Sequence, residues 1–262
     1  MGFGGRSSIR PGMVPFSWVA VSLGLALAAV VYLQWPRGQE AGSKGSDEGS
    51  ASGAVRTDHA PPCVAGDSPT RFTSYDDWRR TLVDRRFRLP ANYAPPDLVS
   101  TSLAGFRERF LVRRLLIRPL AALRRAARRG GNAIGLAAAY RSYRVQASLF
   151  RRRRRELGRE VALSGTARPG HSEHQLGTTV DFKTGGSNDV HRRWGGTSAG
   201  RWVAANAYRF GFIQSYPRDS DDVTCYRYEP WHYRYFGAET ARRIHDSGLT
   251  VREFLWRKQY VP

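Results

Sequence analysis

Cysteine is nearly absent: Cys63 and Cys225 are the only two in 262 residues. They lie far apart and neither belongs to a CxxC pair, which argues against a cysteine-ligated zinc site. They read either as two unrelated thiols or, if the domain lies in an oxidising compartment, as one bridge. Lysine is scarce as well, occurring only at Lys44, Lys183 and Lys258, so nearly all of the 42 basic residues are arginine. Acidic residues number 22, which leaves a formal net charge of +20. A surface of that kind attracts polyanions such as nucleic acid, anionic lipid or an acidic cell-wall polymer, and charge alone does not choose among them. The bland reading is a coding bias toward arginine. No internal repeat is visible.

Charge is also missing from Val14 to Leu33, an apolar stretch of 20 residues. That length just spans the hydrocarbon core of a bilayer. Arg6 and Arg10 precede it, so the positive-inside rule places the N-terminus in the cytoplasm and the remainder outside. The rival is a cleaved signal peptide, with Ala26-Leu27-Ala28 as its cleavage site. The apolar run continues through Val30, Val31 and Leu33, which favours an uncleaved anchor. No cysteine stands near its end to carry a lipid. From Arg37 to Thr57 the composition is Gly, Ser, Ala and charge, too poor in apolar residues to offset the entropy of ordering. The expected organisation is a cytoplasmic segment 1–13, a transmembrane anchor 14–33, a flexible linker 34–65 and a folded domain 66–262. Its expected location is the cytoplasmic membrane, single-pass, with the domain on the periplasmic or cell-wall side.

Within the domain, Leu103 to Ile117 has helical periodicity, and Pro119 suits the first turn of a second helix that ends at Gly130-Gly131. Ala133 to Ala139 reads as a buried strand. Ser142 is a good N-cap for a helix ending near Gly158. Thr178 to Phe182 alternates, with Val180 and Phe182 on one face and Thr179 and Asp181 on the other. Arg201 to Phe210 reads as a helix closed by Gly211, and Phe212 to Tyr216 and Cys225 to Tyr228 as strands. Ala238 to Ser247 is a helix followed by Gly248, and Thr250 with Glu253 forms a capping box for the last helix. Early helices, with strands grouped around the motifs below, predict an α+β domain with a small antiparallel sheet.

Two stretches carry chemistry. In Pro169 to Asp181, His174 and Asp181 stand seven apart; in Glu229-Pro-Trp-His-Tyr-Arg-Tyr235, Glu229 precedes His232 by three. A hydrolytic zinc site needs three N/O ligands and an open position for water. His174, Asp181 and His232 supply two imidazoles and a carboxylate. A further carboxylate, off the metal, must take the proton of the water and pass it to the leaving amine, and Glu229 can fill that role. A turn at Pro230 would let Glu229 and His232 face one cleft.

These residues resemble the VanY-like zinc D-alanyl-D-alanine carboxypeptidases. The likeness lies in S-x-H-x(6)-D, here Ser172, His174 and Asp181, and in E-P-W-H-x-x-Y, here Glu229 to Tyr235. It extends to Leu89–Leu98, to Tyr140-Arg-Ser-Tyr-Arg-Val-Gln146 and to Gly211–Pro217, and so covers about Arg86 to the C-terminus. The resemblance implies a LAS/Hedgehog-type zinc peptidase domain acting on peptidoglycan stem peptides. It implies His174, Asp181 and His232 as zinc ligands, Glu229 as the base and Arg141 as support for the polarised oxygen. Gln146, Ser172 and Ser215 match positions that bind the end of the peptide. Departures are Cys225 after Thr224, Ala139 before Tyr140-Arg141, and the run Arg151 to Arg155. The first of these favours a bridge to Cys63 that is atypical for the family.

Other residues have plainer readings. His171 is expected at the rim, since a fourth protein ligand would overfill the site, and Glu173 is expected to point away from its neighbour. His59, His191 and His245 read as surface residues, and Trp231 as cleft wall. The arginine run invites a nucleic-acid reading, but a domain outside the membrane has little nucleic acid to meet; contact with anionic lipid or wall polymer suits it better. Three functions stay open. They are a zinc D,D-carboxypeptidase, an L,D-carboxypeptidase or endopeptidase on the same scaffold, and a wall-binding module without turnover. An intact Glu229 argues against the last.

Overall fold

The computed structural model describes residues 59–187 and 192–260, without the side chains of Arg192 and Tyr260. The expected anchor and most of the expected linker lie outside these residues. No described helix is long and apolar enough to cross a membrane. Strands β1 (Ser68–Pro69) and β2 (Phe87–Arg88) form a short parallel pair, and β3 (Leu98–Ser100) pairs antiparallel with β4 (Leu111–Arg113). Helix α1 (Ile117–Arg129) leads into β5 (Ile134–Ala138), and α2 (Tyr143–Leu157) and α3 (Arg159–Gly165) lead to β6 (Thr179–Thr184). Then come α4 (Ser198–Asn206), β7 (Phe212–Gln214), α5 (Asp221–Thr224), β8 (His232–Tyr235), α6 (Ala238–Ser247) and α7 (Val251–Tyr260). The central sheet is antiparallel with strand order β5-β6-β8-β7. The mixed α+β architecture with a small antiparallel sheet is the one expected.

One face of that sheet is the core. Val180 and Phe182 of β6 join Leu136, Phe212 and Tyr233 beneath Leu120, Leu123 and Ala127 of α1. The alternation read in β6 therefore holds: its apolar residues face α1, and Asp181 is left for the opposite face. There Asp181 is paired directly across the ladder with His232 of β8. Register thus brings together two residues that are 51 positions apart in the chain (232 − 181). A second apolar cluster holds α6 and α7 against Leu82, Phe87 and Phe236.

Local signals behave as capping chemistry requires. The Ser142 hydroxyl accepts from the Val145 N–H at the start of α2. Thr250 and Glu253 exchange reciprocal bonds of 2.9 and 3.2 Å at the start of α7. Gly211 and Gly248 close their helical segments at positive φ, where a side chain would strain the backbone.

Two expectations fail. Leu103 to Ile117 is not a helix: Gly105, at φ +81°, ends a 3-10 turn, and Leu111–Arg113 becomes β4. The apolar spacing there is helical by coincidence, since Leu103 is exposed while Val112 is buried by strand alternation. Cys225 to Tyr228 is not a strand either. Cys225 adopts φ +70° as the cap of α5, which breaks extended pairing.

Cys63 and Cys225 are joined in a disulfide, with Cα atoms 5.1 Å apart. Beside it, the buried Arg252 guanidinium binds the carbonyls of Pro61 and Val223 and pairs with Asp84 at 2.6 Å. The last residues of the expected linker are therefore fastened to the domain. Cross-linking across such a long loop constrains the unfolded chain, so Cys63→Ser should lower unfolding stability by about 2–4 kcal/mol. Urea unfolding without reductant measures this, and an unchanged midpoint would remove the bridge from the account of stability.

Candidate active site

The metal-ligand candidates meet from three directions. His174 sits on a 3-10 turn (Glu173–Leu176) that Gly177 ends at φ +71°, just before β6. Asp181 comes from β6 and His232 from β8. One ligand atom from each lies within 4.8 Å of the other two. His174 Nε2 and His232 Nδ1 each stand 3.3 Å from Asp181 Oδ1. His174 Nε2 and Asp181 Oδ1 are buried and have no well-formed hydrogen bond among the described residues. Orphaned buried donors and acceptors are costly, and a cation placed between this imidazole nitrogen and carboxylate oxygen would satisfy both. Two imidazoles and one carboxylate with room for water are the donor set of a catalytic zinc site.

The other ring atoms fix which nitrogen is free. His174 Nδ1 lies 2.7 Å from the Ala139 carbonyl, so it carries the proton and Nε2 faces inward. A bulge between Leu136 and Ala138 bends β5 just before that carbonyl. His232 Nε2 lies 2.9 Å from Glu173 Oε2, which leaves Nδ1 facing inward. Burial, together with the Arg141 charge, pushes His174 down to about 4, which keeps it neutral and able to ligate. Burial also opposes the His232 cation, but its bonds to Asp181 and Glu173 outweigh that and raise it to about 10, so a metal binding at Nδ1 must displace the proton held there. Burial likewise opposes the Asp181 anion, and the two histidines overcome it, holding the carboxyl well below the usual range.

Glu173 was expected to point away, yet its side chain runs beneath His232. Its carboxylate accepts from Ser215 Oγ at 2.6 Å and from Arg234 Nη1 at 2.9 Å, besides the histidine. Burial disfavours the anion, but Arg234, His232 and Ser215 together hold it down to about 2. Arg234 is wholly buried, and its other nitrogen binds the carbonyls of Trp78 and Thr81. Ser215 therefore supports Glu173 and does not line the cavity, contrary to its expected place at the end of the peptide. His171 is also not at the rim: it is buried, with Nδ1 2.7 Å from the Asp84 carbonyl and Nε2 3.1 Å from Asp67. The remaining described histidines, His59 and His245, are exposed as expected, and His191 lies outside the described residues.

Glu229 stands where the base was expected. The His232 N–H donates to the Glu229 carbonyl at 3.2 Å across Pro230-Trp231, closing the expected turn. Its Oε2 comes 3.4 Å from His232 Nδ1. Burial pushes its carboxyl up to about 7, with the Asp181 and Glu173 charges adding to the effect. A cavity of about 220 Å³ joins Glu229 to the three ligand candidates, Arg141, Gln146 and Ser172, with Trp231 as one wall. Arg141 is tied by its backbone N–H to the His174 carbonyl at 3.3 Å, and its buried Nε has no partner. Gln146 donates to the Ala167 carbonyl and keeps its own Oε1 free. Seven of the eight expected site residues thus share one cavity, and Ser215 stands behind it. The residues missed were Glu173, as a partner of His232, and Arg234. Arg234 lies inside E-P-W-H-x-x-Y at a position that the motif leaves open.

An α+β domain with a His-Asp-His cluster and a free carboxylate alongside defines a metallopeptidase type of site. The family model for VanY, D-alanyl-D-alanine carboxypeptidase, matches residues 109–238. Among curated proteins, the putative carboxypeptidase YodJ of Bacillus subtilis (strain 168) is 36% identical over 178 residues, which is 66% of this chain and 65% of that protein. The chain thus spans a little under two thirds of that relative. Among solved structures, the LdcB LD-carboxypeptidase is 36% identical at TM-score 0.61, over 69% of this chain and 86% of that one. The vancomycin resistance D,D-pentapeptidase VanY in complex with Zn(II) is 32% identical at TM-score 0.59, over 68% and 99%. The chain belongs to the VanY family.

Glu173→Gln should raise the zinc dissociation constant about 10–100-fold, because it weakens the partner that orients His232. It should also destabilise the fold, by leaving the Arg234 charge buried and unpaired. Chelator competition and thermal melting read the two effects separately; unchanged zinc affinity would assign Glu173 to packing alone.

Proposed function

We propose that this protein is a zinc-dependent D,D-carboxypeptidase that removes the terminal D-alanine from peptidoglycan stem peptides. The observation that carries this reading is the Glu229 carboxylate: it is partly buried beside the ligand cluster yet outside it, with its basicity raised by desolvation. Zinc, when bound by His174, Asp181 and His232, would lower the pKa of a water and polarise the scissile carbonyl. Glu229 takes the proton of the attacking water. A carboxylate whose conjugate acid titrates near neutrality suits that work. The same group then returns the proton to the departing amine of D-alanine. The Arg141 guanidinium, without a carboxylate partner among the described residues, stabilises negative charge developing on the carbonyl oxygen. Gln146 Oε1 and Ser172 are free to hold the end of the peptide.

The substrate follows from relatives rather than from the pocket, and both kinds of relative bear on it. The VanY neighbour is a D,D-pentapeptidase and the LdcB neighbour an LD-carboxypeptidase, so the second reading is L,D-carboxypeptidase activity at the same site. We further infer a membrane-anchored enzyme with its domain outside the cytoplasm. The Cys63–Cys225 bridge supports an oxidising compartment, and the apolar run 14–33 supports the anchor. Electrostatic contact with anionic lipid or wall polymer follows from the basic surface.

Zinc-loaded protein given tetra- and pentapeptide stems should release one alanine from the pentapeptide only, as mass spectrometry would show. Release from the tetrapeptide alone would transfer the assignment to the L,D class. Chelation should abolish turnover. Glu229→Ala should reduce kcat about 10²–10⁴-fold while zinc content stays the same; full activity in that variant would end the proposed mechanism.

A further inference from the structure

Helix α2 buries only Gln146, so most of its basic surface is available to solvent or ligand. Arg144, Ser148 and Arg152, spaced i, i+4, i+8, form one line along the helix. They face Ala137 and Ala138 across a groove of about 670 Å³. This groove shares Arg141 and Leu149 with the catalytic cavity. Arg141 and Leu149 therefore stand between two adjacent spaces. The catalytic cavity, at about 220 Å³, is smaller than the pockets that enclose drug-sized ligands. It accommodates only a short end of a peptide, and the remainder of any longer peptide must leave it.

The groove is suited to that remainder. Its floor is β5, the edge strand of the central sheet, and the small Ala137 and Ala138 let another backbone approach the strand. Its charge is one-sided. No acidic residue lines it, and no described carboxylate pairs with Arg141 or Arg144. Arg152 reaches only Glu156, at 3.8 Å and in the open. Guanidinium groups set at intervals along a channel, two with no described carboxylate partner and one held only by a long, exposed contact, match carboxylates carried at intervals on an extended ligand.

We propose that this groove is the acyl-side subsite and that it selects peptides bearing a free carboxylate upstream of the scissile bond, with Arg144 and Arg152 as the recognising groups. The inference rests on the peptidase reading and adds the substrate class: acidic peptides, discriminated from their amidated counterparts. Arg144 and Arg152 bind substrate away from the reacting atoms; the rest of the arginine run is a solvated face.

The test compares two peptides of equal length ending in D-Ala-D-Ala, identical except that one residue before that pair carries a free side-chain carboxylate or its amide. Zinc-loaded wild-type protein should show kcat/KM about tenfold higher for the acid, the size of one partly exposed charge-assisted contact, and the ratio should shrink at high salt. In Arg144→Gln/Arg152→Gln the ratio should fall to about one, whereas Arg144→Lys/Arg152→Lys should retain part of it. Arg155→Gln, which removes the same kind of charge outside the groove, should leave the ratio as in wild type. A wild-type ratio near one, or a ratio that survives the double glutamine substitution, overturns the proposal. If wild-type protein cleaves neither peptide, the peptidase reading fails instead. Calorimetric dissociation constants for the two peptides then test charge selection by the same ratio.

Discussion

The site depends on one buried ion pair. Arg234 and Glu173 sit together under the catalytic sheet, and each would be intolerable there alone, because an isolated charge in a protein interior costs several kcal/mol. Their charges balance, and further hydrogen bonds run to carbonyls of Trp78 and Thr81 on one side and to Ser215 and His232 on the other. The pair thus ties the N-terminal segment to β8. The same contact sets the His232 tautomer, so the stability of the fold and the preparation of the ligand are one arrangement.

Above that pair the antiparallel register does the remaining work. Asp181 and His232 are opposite one another across β6 and β8, and the Ala139 carbonyl at the end of β5 presents His174 to them. Three neighbouring strands therefore each contribute one constraint, and none of the three ligand candidates depends on a long loop for its place. Glu229 differs: it comes from the turn before β8, close enough to feel the cluster but free of its geometry. A base needs that separation, since a carboxylate bound to the metal could not accept a proton in the same way.

Much of this was legible in the chain. Residue types and spacing pointed to His174, Asp181, His232 and Glu229 as what hydrolytic chemistry needs, and the family resemblance implied their roles. Helix ends were legible because capping is local: Ser142, Gly211, Gly248 and the Thr250–Glu253 box act within a few residues of themselves. What was not legible depended on distant partners. The segment from Leu103 carries helical apolar spacing, but pairing with β3 draws Leu111–Arg113 into a strand, and only the tertiary fold decides between the two. Glu173 reads as a neighbour that points away from a ligand until Arg234, 61 positions later, arrives to neutralise it. Ser215 reads as a substrate contact until Glu173 claims its hydroxyl.

The bridge between Cys63 and Cys225 has a mechanical meaning. It closes the chain into a covalent ring that contains Arg141, His174 and Asp181. Tension entering along the N-terminal segment reaches Cys63 and crosses directly to Cys225, bypassing every strand between them. Those strands cannot be drawn out unless the sulfur–sulfur link is severed. Load is diverted to the C-terminal portion, and the ring shields two of the three metal-ligand candidates from being pulled apart.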